Sequence, residues 1–315
     1  MEKLKIVFMG TPEFAVAILD SIIKNDYEVV GVITAADKPA GRGQKLKFSA
    51  VKEYAVTNDL KLLQPTNLKD ETFLEELRAL KANLHIVVAF RMLPKVVWDM
   101  PALGTFNLHA SLLPNYRGAA PINWAIINGE TKTGVTTFFI DDKIDTGAII
   151  LSDETAIDPK ESAGELHDRL QELGCETVNK TLQLIAKSEA EPTIQEETAD
   201  TKTAYKLNKE NCKIDWTRPA IDCFNLIRGL SPYPAAWCYL VDQGEPLSIK
   251  IYEAEIAQEE HSFTTGQLFC TKKEMKVAVT GGYLLIKSLQ LPGKKRMKIT
   301  ELLNGVTFSE NAKLQ

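Results

Sequence analysis

Residues 4–34 read LKIVFMGTPEFAVAILDSIIKNDYEVVGVIT. The apolar run at 4–9 stops at Gly10 and reads as a short strand. Thr11, Pro12 and Glu13 supply a capping hydroxyl, a proline suited to the first helical position and a carboxylate that complements the helix dipole. FAVAILDSIIKN then has helical spacing, and YEVVGVIT (27–34) is a second strand. Strand, helix and strand in so short a span imply a right-handed crossover and parallel pairing.

The same alternation continues outward. Helical stretches are expected around SAVKEYAVTND, at 70–81 and, briefly, at 94–99; strands are expected at 84–89 and at TFNLHA. A helix near 118–128, strands at 133–140 and 148–157, and a long amphipathic helix at 161–188 complete the pattern. It predicts an α/β fold, a Rossmann-like, doubly wound and mostly parallel sheet covered by helices on both faces. Residues 189–206, EAEPTIQEETADTKTAYK, are polar, acidic and aperiodic, as in a linker. Beyond them a helix containing AIDCFNLIRGL precedes AAWCYLV, LSIKIYEAE, TGQLFC, MKVAVT and YLLIKSLQL, short strands that suggest a small antiparallel β-barrel. The expected domains are 1–189, a linker at 190–206, and 207–315.

Composition narrows the function. A chain of 315 residues with 44% hydrophobic and 25% charged residues is an ordinary globular protein. No apolar run is long enough to span a membrane, and MEKLKIVFMG lacks a signal-peptide pattern, so a cytoplasmic protein without membrane association is expected. Five scattered cysteines without a C-x-x-C pair read as reduced thiols, and no zinc set is spaced among His, Cys and Asp. The net charge of −5 argues against a chain that is basic throughout, but it says nothing against a local basic face. The first turn has one glycine rather than G-x-G-x-x-G, which argues against a dinucleotide.

Ligands bind at the carboxyl ends of parallel strands. In FNLHASLLPNYRGAAP (106–121), Asn107 and His109 share one strand face near such an end. The later strand at 133–140 is followed by DDKIDTG, in which Asp145 precedes Thr146 and Gly147 and can face the same crevice. An amide donor, an acid/base and a carboxylate suit transfer of a carbonyl-containing group to an amine. Ser111 lies in no G-x-S-x-G elbow, which favours direct transfer over a covalent enzyme intermediate. A strand histidine beside an asparagine also occurs as hydrogen-bonded packing, and the residues alone leave both readings open.

NLHASLLPNYRGAAPI together with D-x-x-I-D-T-G resembles the folate-dependent formyltransferases, and the match to the methionyl-tRNA formyltransferase family runs along nearly the whole chain. GTPEFA, DKPAGRG, QP at 64–65, SPYPAAW and LQLPGKK also carry it. The resemblance implies that Asn107, His109 and Asp145 are catalytic and that Ser111, Leu112, Leu113 and Pro114 border 10-formyltetrahydrofolate. It implies an oligonucleotide-binding-like barrel, methionyl-initiator tRNA as partner, no metal, no DNA and a monomer. Lys38, Arg42 and Lys45, with Lys47 nearby, and Lys294, Lys295 and Arg296 are then candidate tRNA contacts. One departure is AFRMLP (89–94), where the family has a Tyr-Gly pair and this chain has Arg91. The runner-up activity is formylation of a nucleotide-linked or amino-sugar amine.

Overall fold

The computed structural model describes residues 3–40 and 45–315. The first strands and helices are β1 (Lys5–Gly10), α1 (Glu13–Lys24), β2 (Glu28–Ile33), β3 (Lys38–Ala40), β4 (Lys45–Lys47), α2 (Ala50–Thr57), β5 (Leu62–Leu63) and α3 (Glu71–Ala79). They continue with β6 (Leu84–Val88), α4 (Lys95–Trp98), β7 (Thr105–His109), β8 (Arg117–Gly118), α5 (Pro121–Ile127), β9 (Lys132–Phe139), β10 (Ile149–Ala156) and α6 (Ala163–Ala186). After β11 (Thr203–Ala204) and α7 (Ala220–Leu230) come β12 (Ala236–Val241), β13 (Leu247–Ala257), β14 (Leu268–Cys270), β15 (Met275–Val279), β16 (Gly282–Gln290), β17 (Met297–Lys298), α8 (Ile299–Leu302) and β18 (Lys313–Leu314).

Two compact units emerge. One comprises residues 1–118, 134–155 and 168–203; the other comprises 119–133, 156–167 and 204–315. The first is built on a sheet of order β10-β9-β7-β6-β1-β2-β5. Its parallel pairs include β1 with β2 and β6, β6 with β7, and β2 with β5, while β9 runs antiparallel to β7. The chain moves outward from β1 through β2 to β5, then returns to β6 and β7 on the other side. That reversal is the switch point at which such sheets form a crevice.

Phe8, Phe106 and Phe138 are fully buried in this unit, each contributing about 1.5–3 kcal/mol of apolar burial. Gly174 of α6 lets the helix approach the sheet, since a Cβ there would stand 2.9 Å from the Leu108 side chain. Buried Thr181 of the same helix shares a 2.8 Å hydrogen bond with Thr137 of β9. The helix starts differently at α1 than the sequence suggests: Glu13 is its first residue, extended Pro12 occupies the cap, and no side chain caps it. The expected helix at 118–128 begins at Pro121, where the missing N–H costs nothing.

β3 and β4 pair antiparallel, with Lys38 opposite Lys47 and Ala40 opposite Lys45. Three-residue strands are too short to display an alternating pattern. Residues 41–44, including Arg42, lie outside the described residues.

The second unit holds an antiparallel sheet of order β14-β15-β16-β13-β12-β18, with β17 against β16. Leu314 N–H donates to Gly266 O at 2.8 Å and Leu268 N–H to Ala312 O at 3.0 Å, joining the two ends of that order into a nearly closed barrel. Register shifts at Ile251–Ala254 give β13 the curvature that closure requires. Cys223, Ile227 and Leu230 of α7 enter the barrel core. Gly229 lets α5 and α7 touch, because a Cβ there would lie 2.7 Å from the Ile127 side chain.

Candidate active site

The site in the first unit is built on β7. Its register places His109 opposite Thr136 and Asn107 opposite Phe138. Asn107 and His109, two residues apart, share a face as the alternation requires. His109 is only 7% exposed, and its Nε2 lies 2.8 Å from the carbonyl oxygen of Tyr116. A carbonyl only accepts, so Nε2 carries the proton and the neutral ring keeps its lone pair on Nδ1. That nitrogen faces Asp145 Oδ2 at 3.8 Å, within ion-pairing range but too far for a hydrogen bond. The orientation of the ring therefore comes from the Tyr116 backbone, and Asp145 contributes charge.

Asp145 sits in a left-handed conformation with φ +55°, a region an aspartate tolerates at roughly 1–2 kcal/mol. Its Oδ2 accepts a 2.9 Å hydrogen bond from Gly118 N–H. Gly147 makes this turn possible, since a Cβ there would overlap Phe139 O at 1.6 Å. Two residues that sequence reasoning did not single out complete the turn. Gln195 donates through Nε2 to Asp145 O at 2.9 Å and to Gly147 O at 2.8 Å. Arg117 donates to Gln195 Oε1 through Nε at 3.1 Å and Nη2 at 2.8 Å. Gln195 is hidden in a polar, acidic stretch whose composition reads as linker; only its lone amide among charged neighbours marks it.

The Ser111–Pro114 turn follows β7 directly and is pinned from β9. Thr136 Oγ1 donates to Ser111 O at 2.7 Å and accepts from Leu113 N–H at 3.3 Å, while Ser111 Oγ donates to Asn115 O at 2.7 Å. Ser111 and Leu113 are buried; Leu112 and Pro114 are half-buried. Asn107 Oδ1 is buried and meets no partner among the described residues. Exchanging the amide's O and N would leave an N–H₂ there instead, so in either assignment a polar atom awaits a partner. An oxygen there can only accept, so Asn107 could pair with a carbonyl only through its N–H₂. Arg91 donates to Pro65 O and Thr66 O, tying the loops after β5 and β6 together.

The candidate nucleic-acid contacts fall in different settings. Lys38 and Lys45 stand on β3 and β4, whose root is held by the Asp37–Lys52 ion pair and by Gln64 Nε2 on Asp37 Oδ1 at 2.9 Å. Hydrogen bonds from Lys52 and Gln64 hold the Asp37 carboxyl below its usual range. In the second unit Lys294, Lys295 and Arg296 are all exposed, and Arg296 is also held by its neighbours. Its Nε donates to Ser288 Oγ at 2.8 Å, and its guanidinium stacks 4.8 Å from the Tyr252 ring centre. A second basic group, not anticipated, gathers around Trp237: Lys209 lies 5.0 Å and Lys213 5.8 Å from its ring. Among the described residues, no cluster of His, Cys, Asp or Glu is arranged to hold a metal ion, and no helix is long and apolar enough to cross a membrane.

Residues 4–182 match the family described as formyl transferase, and residues 206–307 match its C-terminal domain. The chain belongs to the formyl transferase family. Within the family it is 72% identical, over 100% of both chains, to the methionyl-tRNA formyltransferase of Flavobacterium johnsoniae. It is 52% identical to that of Bacteroides thetaiotaomicron, with 99% of each chain covered. Among solved structures, the N-formyltransferase from Helicobacter canadensis, in complex with folinic acid and dTDP-3-aminofucose, superposes with a TM-score of 0.63. That pair covers 93% of this chain and 100% of the other at 21% identity, a likeness of fold.

Proposed function

We propose that this chain transfers the formyl group of 10-formyltetrahydrofolate to the α-amino group of methionyl-initiator tRNA. The observation that supports the reading is the approach of Asp145 to His109 at the end of β7, with Asn107 on the same strand face, in a chain so similar to methionyl-tRNA formyltransferases along its whole length. The folate supplies the formyl carbon as an activated amide. The turn at Ser111, Leu112, Leu113 and Pro114 holds it. The Asn107 amide donates to the formyl oxygen, where negative charge grows as the amine attacks.

His109 receives the amine proton at Nδ1, the one ring nitrogen with a free lone pair, because Nε2–H is committed to Tyr116 O. The imidazolium so formed faces the Asp145 carboxylate at 3.8 Å, which stabilises it electrostatically. His109 then returns a proton to the departing folate nitrogen as the carbon–nitrogen bond breaks. No protein nucleophile is needed. Holding donor and acceptor in attack geometry supplies about 7–11 kcal/mol in favourable cases.

The division into a catalytic domain at 1–189, a connecting segment at 190–206 and a tRNA-binding barrel at 207–315 belongs to the same proposal, as do a cytoplasmic setting and a monomer. Lys38, Arg42, Lys45, Lys294 and Lys295 would meet tRNA phosphates, with Lys209 and Lys213 added by their place beside Trp237. Arg296 would shape that surface more than contact the ligand, given its internal bonds. Amino-sugar formylation is the rival reading. It draws on fold likeness at 21% identity, against 72% for the tRNA enzyme. The deciding assay supplies 10-formyltetrahydrofolate with either charged initiator tRNA or a dTDP-amino sugar. Formyl-methionine released after base hydrolysis supports the proposal; formylation of the sugar alone refutes it.

A further inference from the structure

The Gln195 amide is saturated: both N–H bonds go to carbonyl oxygens, of Asp145 and Gly147, and its oxygen takes two donors from Arg117. Carbonyls cannot donate and a guanidinium cannot accept, so the amide has one orientation. The bridge joins two turns. One carries Asp145 at φ +55° and Gly147; the other carries Tyr116 at φ +62°, Arg117 and Gly118. These same turns meet His109, through Asp145 Oδ2 on one side and Tyr116 O on the other. They are joined a second time by Gly118 N–H on Asp145 Oδ2. Asp145 makes no hydrogen bond to His109, so the 3.8 Å gap depends on how these turns are fixed.

We propose that Gln195 is a positioning residue that sets the Asp145 carboxylate against His109, with Arg117 fixing the amide in turn. It touches no reacting group. Glu197, 3.2 Å from Arg117 Nη1, completes the chain of contacts at the exposed end. The proposal rests on the formyl-transfer reading for its catalytic consequence, though its geometry does not.

The test compares wild type, Gln195→Leu, Gln195→Glu, Asp145→Asn and the double variant Gln195→Leu/Asp145→Asn. Gln195→Leu removes every bond of the amide, whereas Gln195→Glu keeps an oxygen for Arg117 and sets a second oxygen against two carbonyls. Each should lower kcat by about 10- to 100-fold, the cost of a small misplacement, with KM for folate and tRNA unchanged. In the Asp145→Asn background, Gln195→Leu should cost nothing more, because the two act as a unit. Multiplicative losses, raised KM values, full activity, or failure of both variants to fold would overturn the proposal in favour of a structural role. Absence of formylation by wild type would instead refute the substrate reading. The crystal structure of Gln195→Leu then decides the positioning role by itself: the His109 Nδ1–Asp145 Oδ2 separation must change from wild type.

Discussion

His109 Nδ1 faces Asp145 Oδ2 across 3.8 Å, while the same ring spends its Nε2–H on the Tyr116 carbonyl at 2.8 Å. Orientation and charge support thus come from different partners. Asp145→Asn should therefore leave the imidazole in place and remove only the charge that stabilises its protonated form. We expect kcat to fall by about 10²-fold or more, with tRNA affinity retained. Asn107→Ala and His109→Ala should each cost at least about 10²-fold in kcat while the protein stays folded. Steady-state kinetics and tRNA titration check all three; near-normal turnover in either alanine variant would remove that residue from the mechanism.

Gly147→Ala tests the turn rather than the carboxylate. Its Cβ would require a site 1.6 Å from Phe139 O, so backbone must move. Destabilisation of about 1–3 kcal/mol is expected, with a larger loss of kcat than of folate binding. Denaturant unfolding and kinetics on one preparation measure both; unchanged values would mean that the turn relaxes freely.

His85 gives the fold a pH dependence. Burial in β6 pushes its pKa down to about 4, against an ordinary value near 6.5, partly offset by a hydrogen bond to the Val97 backbone. Between those values the unfolded chain binds a proton that the folded chain refuses, so stability falls as pH falls from about 6.5 to 4. The full loss is about 3 kcal/mol at 1.36 kcal/mol per unit. His85→Leu should flatten this part of the profile. Urea midpoints of both proteins at pH 7.5 and 5 provide the comparison, and parallel slopes would assign the dependence to other groups.

The basic residues divide by what they already hold. Neutralising Lys294 with Lys295, or Lys209 with Lys213, should raise KM for tRNA and leave KM for folate unchanged. The slope of log K against log salt should become shallower by roughly 0.7–0.9 for each phosphate that no longer has a cation beside it. Arg296→Ala should instead lower stability, since it breaks the bond to Ser288 and uncovers Tyr252. An unchanged salt slope in both lysine pairs would mean that neither group touches phosphate.

Much of the site is legible in the sequence because side chains carry it. Alternation places Asn107 and His109 on one face of β7, and the D-T-G turn announces Asp145. Tyr116 and Gly118 are not legible, because they act through backbone atoms, which any residue possesses. Gln195 is concealed by its surroundings: an acidic, aperiodic stretch gives no signal that one amide within it is spent on four hydrogen bonds. In the fold, long strands such as β1 and β9 declare themselves by apolar patterning. The two- and three-residue strands β3, β4 and β5 cannot, since pairing rather than periodicity defines them. Lys294, Lys295 and Arg296 look equivalent as a charge run, and only packing against Ser288 and Tyr252 separates the arginine.

The barrel seam has a temporal meaning. Leu314, 2% exposed, and Gln315 close the sheet through Gly266 and Tyr239, all of which leave the ribosome earlier. A nascent chain can assemble the β1–β7 region while translation proceeds, yet the last stave is synthesised after every strand it must join. Until it arrives, β12 and β14 present open edges, the surfaces on which incomplete barrels stick to one another.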